Sequence, residues 1–187
     1  MTETASDSEL LRLSAEGDRA AFTSFMNRYA APVHRFLVAL GANEDDAEDA
    51  LQECFISAWR GAGTYRGRGS ARAWLFTIAR HAHRRQYRRR VGEPAQVESL
   101  EVLGERAGWG TPADFTAAFE AAEELNWVLG QLPKEEREVV VLRDLEGLTG
   151  AETANVLGVS VASMKSRLHR GRLRLMGVLR RGEGARG

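Results

Sequence analysis

Cysteine is almost missing from this chain of 187 residues: Cys54 stands alone. A single thiol excludes a disulfide framework and a cysteine-built zinc site within one chain. Proline is scarce, at four residues, and lysine scarcer still, since only Lys134 and Lys165 of the 26 basic residues are lysine. Arginine suits phosphate and base-edge contacts, although a GC-rich genome produces the same bias. No run approaches the ~18 apolar residues of a membrane span, so no membrane insertion is expected. No basic stretch followed by an apolar core opens the chain, so a cytoplasmic location is expected. Strand signals are nearly absent. Net charge is zero, so bulk basicity points to no polyanionic partner.

What is present is charge sorted by sign. Glu44 to Glu53 carries six acids and no base, Arg60 to Gly92 ten arginines and no acid, and Lys165 to Arg181 seven bases and no acid. Such blocks create local fields that the zero sum hides.

Apolar residues recur at helical spacing almost throughout. The periodicity predicts helices over Glu9–Glu16, Arg19–Leu40, Glu44–Arg60 and, capped by Ser70, on to Arg90. Pro32 is expected to kink or split the second of these. Residues 91–110, with sparse apolar residues and several glycines, read as a linker. Thr111-Pro112 then opens a second helical set: Asp114–Gln131, Lys134–Asp144, Gly150–Leu157 and Val161–Leu179. The expected fold is all-α: two small helical domains (1–90 and 111–187) joined by a linker, each large enough for one core.

The second domain carries a helix-turn-helix. Thr149 to Glu152 is a capping box, Gly158 suits a left-handed turn position, and Ser160 caps the next helix. Val161, Met164 or the Lys165 stem, and Leu168 are expected to point inward. Ala162, Ser163, Lys165, Ser166, His169 and Arg170 share much of the outer face. Lys165, Arg167, Arg170, Arg172 and Arg174 can neutralise phosphates or meet guanine edges in a major groove. A helical hairpin with a solvated basic face is the plainer alternative. In the first domain Tyr65, Trp74 and Phe76 interleave with arginines, a pattern suited to stacking single-stranded bases along a cationic track. Trp59 and Trp74 are expected in the core, whereas Tyr65 lies in a Gly/Arg loop. The acidic helix beside them is either a solvated face or a dock for a basic partner. His81 and His83 sit among arginines with no carboxylate to complete a metal site. No nucleophile constellation or phosphate loop emerges. No catalytic residue, metal or cofactor is expected.

Asp46 to Trp59 resembles the polymerase-binding helix of extracytoplasmic-function (ECF) sigma factors. Tyr65-Arg66-Gly67 and Ala73 to Arg80 resemble that family's promoter-melting segment. Leu132-Pro133, Glu136 to Val139, Leu142-Arg143, Glu146-Gly147-Leu148, Leu157 to Ser160 and Lys165 to Arg172 resemble its second conserved domain. The likeness covers about Leu10 to Leu179 outside the linker. It implies a factor that binds core RNA polymerase and directs promoter recognition, DNA melting and initiation, and that is not an enzyme. Asp46, Asp49, Gln52 and Glu53 would dock on polymerase. Tyr65, Arg66, Arg68, Ser70, Arg72, Arg80, His81, Arg84, Arg85 and Arg88 would hold the melted minus-ten strand. Ser163, Lys165, Ser166, Arg167, His169, Arg170 and Arg172 would read the minus-thirty-five duplex. The partners implied are core polymerase, promoter DNA and an anti-sigma factor. Thr153 and Gly150 depart from the family's apolar and aromatic residues, so the first helix of the motif is expected to be looser. Ala162-Ser163-Met164 also departs, so the family's minus-thirty-five preference does not carry over.

A linker of 20 residues reaches at most roughly 66 Å, close to the ~70 Å of two DNA turns, so one chain can touch two elements. Its excess of glutamates suits either a basic channel or a solvated tether. The alternative reading is a helix-turn-helix regulator that does not join polymerase. It leaves the acidic helix and the Arg/aromatic segment unexplained.

Overall fold

The computed structural model describes residues 5–67, 69–90 and 123–184, and all regular structure among them is helical. The expected linker (91–110) and the helix start at Thr111-Pro112 lie outside the described residues.

Local caps set the helix starts in the first half. Helix α1 (Asp7–Ala15) begins where the Ser6 hydroxyl accepts the Glu9 N–H, and α2 (Arg19–Ala39) where Asp18 accepts the Ala21 N–H. Helix α3 (Glu44–Gly61) is capped by Asn43 and has Glu44, Asp45 and Asp46 in its first turn, where the helix dipole favours negative charge. Ser70 accepts the Ala73 N–H at the start of α4 (Ala71–Arg90). Helix α2 is not split at Pro32. The lost backbone bond is offset because Tyr29, Ala30 and Val33 around it are buried.

The aromatic residues spaced along α2 form the centre of this half. Phe22 meets Phe55 and Trp59 edge-on at 6.4 and 5.1 Å, and Phe36 meets Phe76 edge-on at 5.3 Å. Such edge contacts add roughly 0.5–1.5 kcal/mol each beyond area burial. Cys54 is fully enclosed among them, and burial pushes its thiol pKa up, which keeps it protonated.

In the second half, α5 (Glu123–Gly130) leads to α6 (Lys134–Val140), which runs on as a wider π turn over Val141–Leu145. Helix α7 (Gly150–Leu157) opens with the expected capping box between Thr149 and Glu152 and ends at Gly158, whose φ of +65° is left-handed. Helix α8 (Val161–Gly184) completes the helix-turn-helix. Met164 and Leu168 are buried as expected, but Val161 is 43% exposed. The α7–α8 contact centres one turn later: a Cβ on Gly150 would stand only 2.9 Å from the Met164 methyl. The absence of a side chain at Gly150 thus leaves the space that the Met164 methyl fills. Gly171 does the same for the α6–α8 crossing, where a Cβ would stand 2.9 Å from Val140 Cγ2.

The two halves also pack on each other. Helix α7 lies against α4, α6 lies against α2, and one buried apolar cluster continues through both halves.

Candidate nucleic-acid interface

Three charged faces emerge from this scaffold. The first is the outer side of α3. Asp49 is exposed, Asp46 and Gln52 are half-buried, and Gln86 of α4 donates to Asp49 at 3.3 Å. Glu53 departs from the expected outward position. It is 8% exposed and accepts the Arg85 Nε at 2.5 Å, because α3 and α4 cross there. Arg85 Nη2 also donates to Ser57 at 3.3 Å. Arg85, expected on the minus-ten track, is thus a strut between α3 and α4.

The second face runs from the loop before α4 along that helix. His81, Arg84 and Arg88 are exposed at positions that share one helical face, and Arg66 is exposed in the loop. Arg68 lies outside the described residues. Burial and the neighbouring Arg85, Arg84 and Arg80 hold the His81 pKa below its ordinary value. Tyr65 is half-buried against Trp74 at 5.7 Å, and its hydroxyl donates to the Gly69 carbonyl at 3.0 Å and lies 3.2 Å from Ser8 Oγ. The ring therefore buttresses the loop, with one side already occupied.

Ser70, Arg72 and Arg80 are half-buried for a different reason: the second half of the chain covers them. The Ser70 N–H points to Glu152 Oε1 at 3.4 Å, and Arg72 Nη1 donates to the Glu146 carbonyl at 2.5 Å. The Arg72 guanidinium also lies 5.5 Å over the Tyr29 ring. Arg80 Nη1 lies 3.5 Å from where a Cβ on Gly158 would stand. Desolvation lowers the Arg80 pKa, with Arg84 adding to the effect and Glu138 opposing it.

The third face is α8. Lys165, Ser166, His169, Arg170 and Arg172 are exposed, and Ser163 and Arg167 half-buried. These positions carry the expected recognition face. Several of the arginines are oriented from beneath by acids. Glu136, only 5% exposed, accepts Arg170 Nε at 3.2 Å and stands 2.9 Å from Arg174 Nε. Asp144 takes Arg172 bidentately at 2.9 and 2.6 Å, and Arg170 also donates to Ser166 at 2.7 Å. Burial pushes the Glu138 carboxyl pKa up, against the opposing pull of Lys134, Arg80 and Arg167.

Sequence reasoning expected these side chains on the outer face of α8 but missed the acids that contact them. Glu136 gave no sign of burial, because it lies in the charged run from Lys134 to Glu138. Glu146 and Arg35 gave no sign of pairing, because it spans the two halves: Arg35 Nε and Nη2 both reach Glu146 Oε1, at 3.0 and 2.7 Å.

Comparison with known proteins bears on these faces. Residues 25–92 match the family model for Sigma-70 region 2, and residues 120–175 that for Sigma-70, region 4. The chain is 37% identical over 175 residues to the ECF RNA polymerase sigma factor SigM of Mycobacterium tuberculosis, covering 93% of this chain and 85% of that one. It is 31% identical over 180 residues to the RNA polymerase sigma factor CnrH of Cupriavidus metallidurans, covering 92% and 94%. A structure of CnrH in complex with the cytosolic domain of CnrY superposes with a TM-score of 0.63 at 27% identity, over 92% of this chain and 96% of that one. A structure of the sigma factor RpoE with the anti-sigma factor NepR, from Bartonella quintana, gives a TM-score of 0.56 at 26% identity, over 81% and 92%.

Proposed function

The chain belongs to the extracytoplasmic-function family of RNA polymerase sigma factors, and on that premise we propose how its surfaces divide the work of promoter recognition. As a sigma factor it binds polymerase and recognises promoters. The match to region 2 sets aside a helix-turn-helix regulator that never joins polymerase.

The first domain, residues 1–90, docks through the outer face of α3: Asp49 leads, with Asp46 and Gln52 beside it. Glu53 contributes by holding α3 against α4. The loop from Tyr65 to Ser70 and the cationic side of α4 capture the melted minus-ten strand. Arg66, Arg72, Arg80, His81, Arg84 and Arg88 follow its phosphates, and Tyr65 offers its open ring face to a base. The second domain, residues 111–187, sets α8 in the minus-thirty-five major groove. Lys165, Ser166, Arg167, Arg170 and Arg172 contact phosphates or base edges there, with Ser163 and His169 at the margin. Glu136 and Asp144 hold the arginine forks in place before DNA arrives, which reduces the ordering cost of binding.

The observation that carries this reading is the pairing, in one chain, of two separate cationic helix faces, on α4 and α8, with an acidic face on α3. Strand capture needs no hydrolysis. A site that binds unpaired bases and not paired ones draws the melting equilibrium toward the open state. The chain therefore acts as a binding factor and not as an enzyme, in the cytoplasm where polymerase works. An anti-sigma factor, of the kind bound to RpoE in the related structure, is its expected antagonist.

The test is co-purification with core polymerase followed by run-off transcription and permanganate footprinting. Shortening Tyr65–Ser70 is expected to leave polymerase binding intact and to reduce melted thymines. Normal melting by that variant would assign strand capture to another segment.

A further inference from the structure

Helix α8 rests on a buried acid. Glu136 is 5% exposed, beneath the face proposed to meet duplex DNA, where a negative charge opposes every polyanion whatever its sequence. The helix crossing explains how it comes to lie there. A Cβ on Gly171 would stand 3.4 Å from both the Cβ and the carbonyl oxygen of Glu136, so α8 passes directly over that residue. Arg170 and Arg174, one turn apart, then reach the one carboxylate from before and after Gly171. Arg170 Nε donates to Oε1 at 3.2 Å, and Arg174 Nε stands 2.9 Å from Oε2.

The pairings of Arg170 and Arg172 leave different edges open. Asp144 takes both Nε and Nη2 of Arg172, the whole side edge of that fork. Arg170 meets Glu136 through Nε alone, and its Nη1 donates to Ser166, one turn earlier, at 2.7 Å. Among the described residues no hydrogen bond reaches its Nη2. The end of the Arg170 fork, Nη2 with the second Nη1 proton, is therefore held in a fixed orientation with its donors unspent. That end can donate twice, to O6 and N7 of a guanine. A guanidinium tied at two points is a poor clamp for a phosphate lying elsewhere, because it must first break both bonds.

We propose that Glu136 is a positioning residue for sequence preference: it holds Arg170 end-on to the upstream base edges and, by offsetting one of two positive charges, lowers affinity for DNA of any other sequence. The inference rests on α8 reading the upstream duplex. Specificity is a difference between two affinities, and Glu136 acts on both. An arginine held in advance loses less freedom on reaching its base. A phosphate, which every sequence offers, meets a site whose charge is lower by one.

The experiment uses the full chain and fluorescence anisotropy on two labelled duplexes. One carries the upstream element of a promoter that the native factor transcribes, and the other has that element scrambled. Glu136→Gln keeps the shape of the side chain and removes its charge. It is expected to bind the scrambled duplex up to about eightfold tighter at about 0.1 M salt, because one more neutralised phosphate scales as roughly the −0.9 power of salt. Its preference for the matched duplex should fall about fivefold or more, the low end for one bidentate guanine contact. A gain on one duplex with a loss of preference cannot come from poorer folding, which circular dichroism checks directly. Glu136→Asp keeps the charge and shortens the reach, so preference should fall while affinity for the scrambled duplex stays. With Arg170→Ala already present, Glu136→Gln should no longer change preference. A folded Glu136→Gln protein with unchanged or weaker binding to the scrambled duplex, or with intact preference, overturns the inference. So does a further loss of preference in the Arg170→Ala background, since Glu136 would then act through another group. A native chain that binds the two duplexes alike refutes the reading of α8, and this inference with it. A native chain that discriminates, with no response to Glu136→Gln, refutes the inference alone.

Discussion

Thr153 offers a sharp test of the packing in the helix-turn-helix. It lies on the inner face of α7 at 0% exposure, and its Oγ1 has no hydrogen-bond partner. In the unfolded chain that hydroxyl is bonded to water. Leaving a buried polar group unpaired costs about 1–3 kcal/mol. Valine keeps the shape and the β-branch, has similar helix propensity, and has no hydroxyl to desolvate. Thr153→Val is therefore expected to stabilise the protein by about 1–2 kcal/mol. For a chain of this size each kcal/mol moves the melting midpoint by roughly 2–4 °C, so a rise of about 2–8 °C is expected. Thr153→Ser is the counterpart: it keeps the unpaired hydroxyl and loses the methyl, and should cost about 1 kcal/mol. Calorimetry and urea titration read both changes, and duplex DNA affinity should not move because the side chain touches none of the outer face. If valine leaves stability unchanged or lowers it, the hydroxyl has a partner in solution and the argument fails.

Asp49→Lys is expected to weaken binding to core polymerase with the fold unchanged, as circular dichroism would verify; unaltered affinity would remove the docking assignment. Arg85→Ala should instead lower stability by about 1.5–3 kcal/mol, the range for a hydrogen bond to a charged group, because it takes a partner from the buried Glu53. Lys165→Ala or Arg170→Ala should relax preference at the upstream element by ~1–3 kcal/mol per guanine contact. Equal loss on matched and scrambled duplexes would reduce these residues to phosphate contacts. His34 is 3% exposed, and burial holds its pKa below the ordinary value, with Glu44, 3.2 Å away, and Glu48 opposing. The unfolded chain therefore takes up the proton first. The stability from neutral His34 is present above about pH 6.5 and is lost as pH falls through the folded pKa. Urea titrations near pH 7 and pH 5 should give a smaller acid loss for His34→Gln than for the native chain; parallel losses would refute this.

Most helix boundaries were legible because their signals are local. Ser6, Asp18, Asn43, Ser70 and Thr149 are short acceptors at the starts of apolar-periodic segments, and each accepts the backbone N–H that such a residue reaches. The exposed face of α8 was legible for a related reason. Once Met164 and Leu168 turn inward, helical geometry leaves Lys165, Ser166, His169 and Arg170 outside. Val161 was misjudged since periodicity gives the face of a helix but not the turn at which it meets its neighbour. The pairing of Arg85 with Glu53 was not legible, because a run of arginines reads alike whether one member meets solvent or a glutamate from another helix.

The amino-acid order alone determined that the chain is helical, where its caps fall, that its charges are sorted into one acidic and two basic segments, and which motifs they carry. These depend on spacings of a few residues, which covalent geometry makes predictable. The tertiary structure decided which charges remain available. Glu53 meets Arg85 across 32 positions, Glu136 meets Arg170 across 34 and Arg35 meets Glu146 across 111. Pairings at such separations depend on how the helices cross and how the two halves close, and a side chain's charge is the same in sequence whether it faces DNA, polymerase or its own chain.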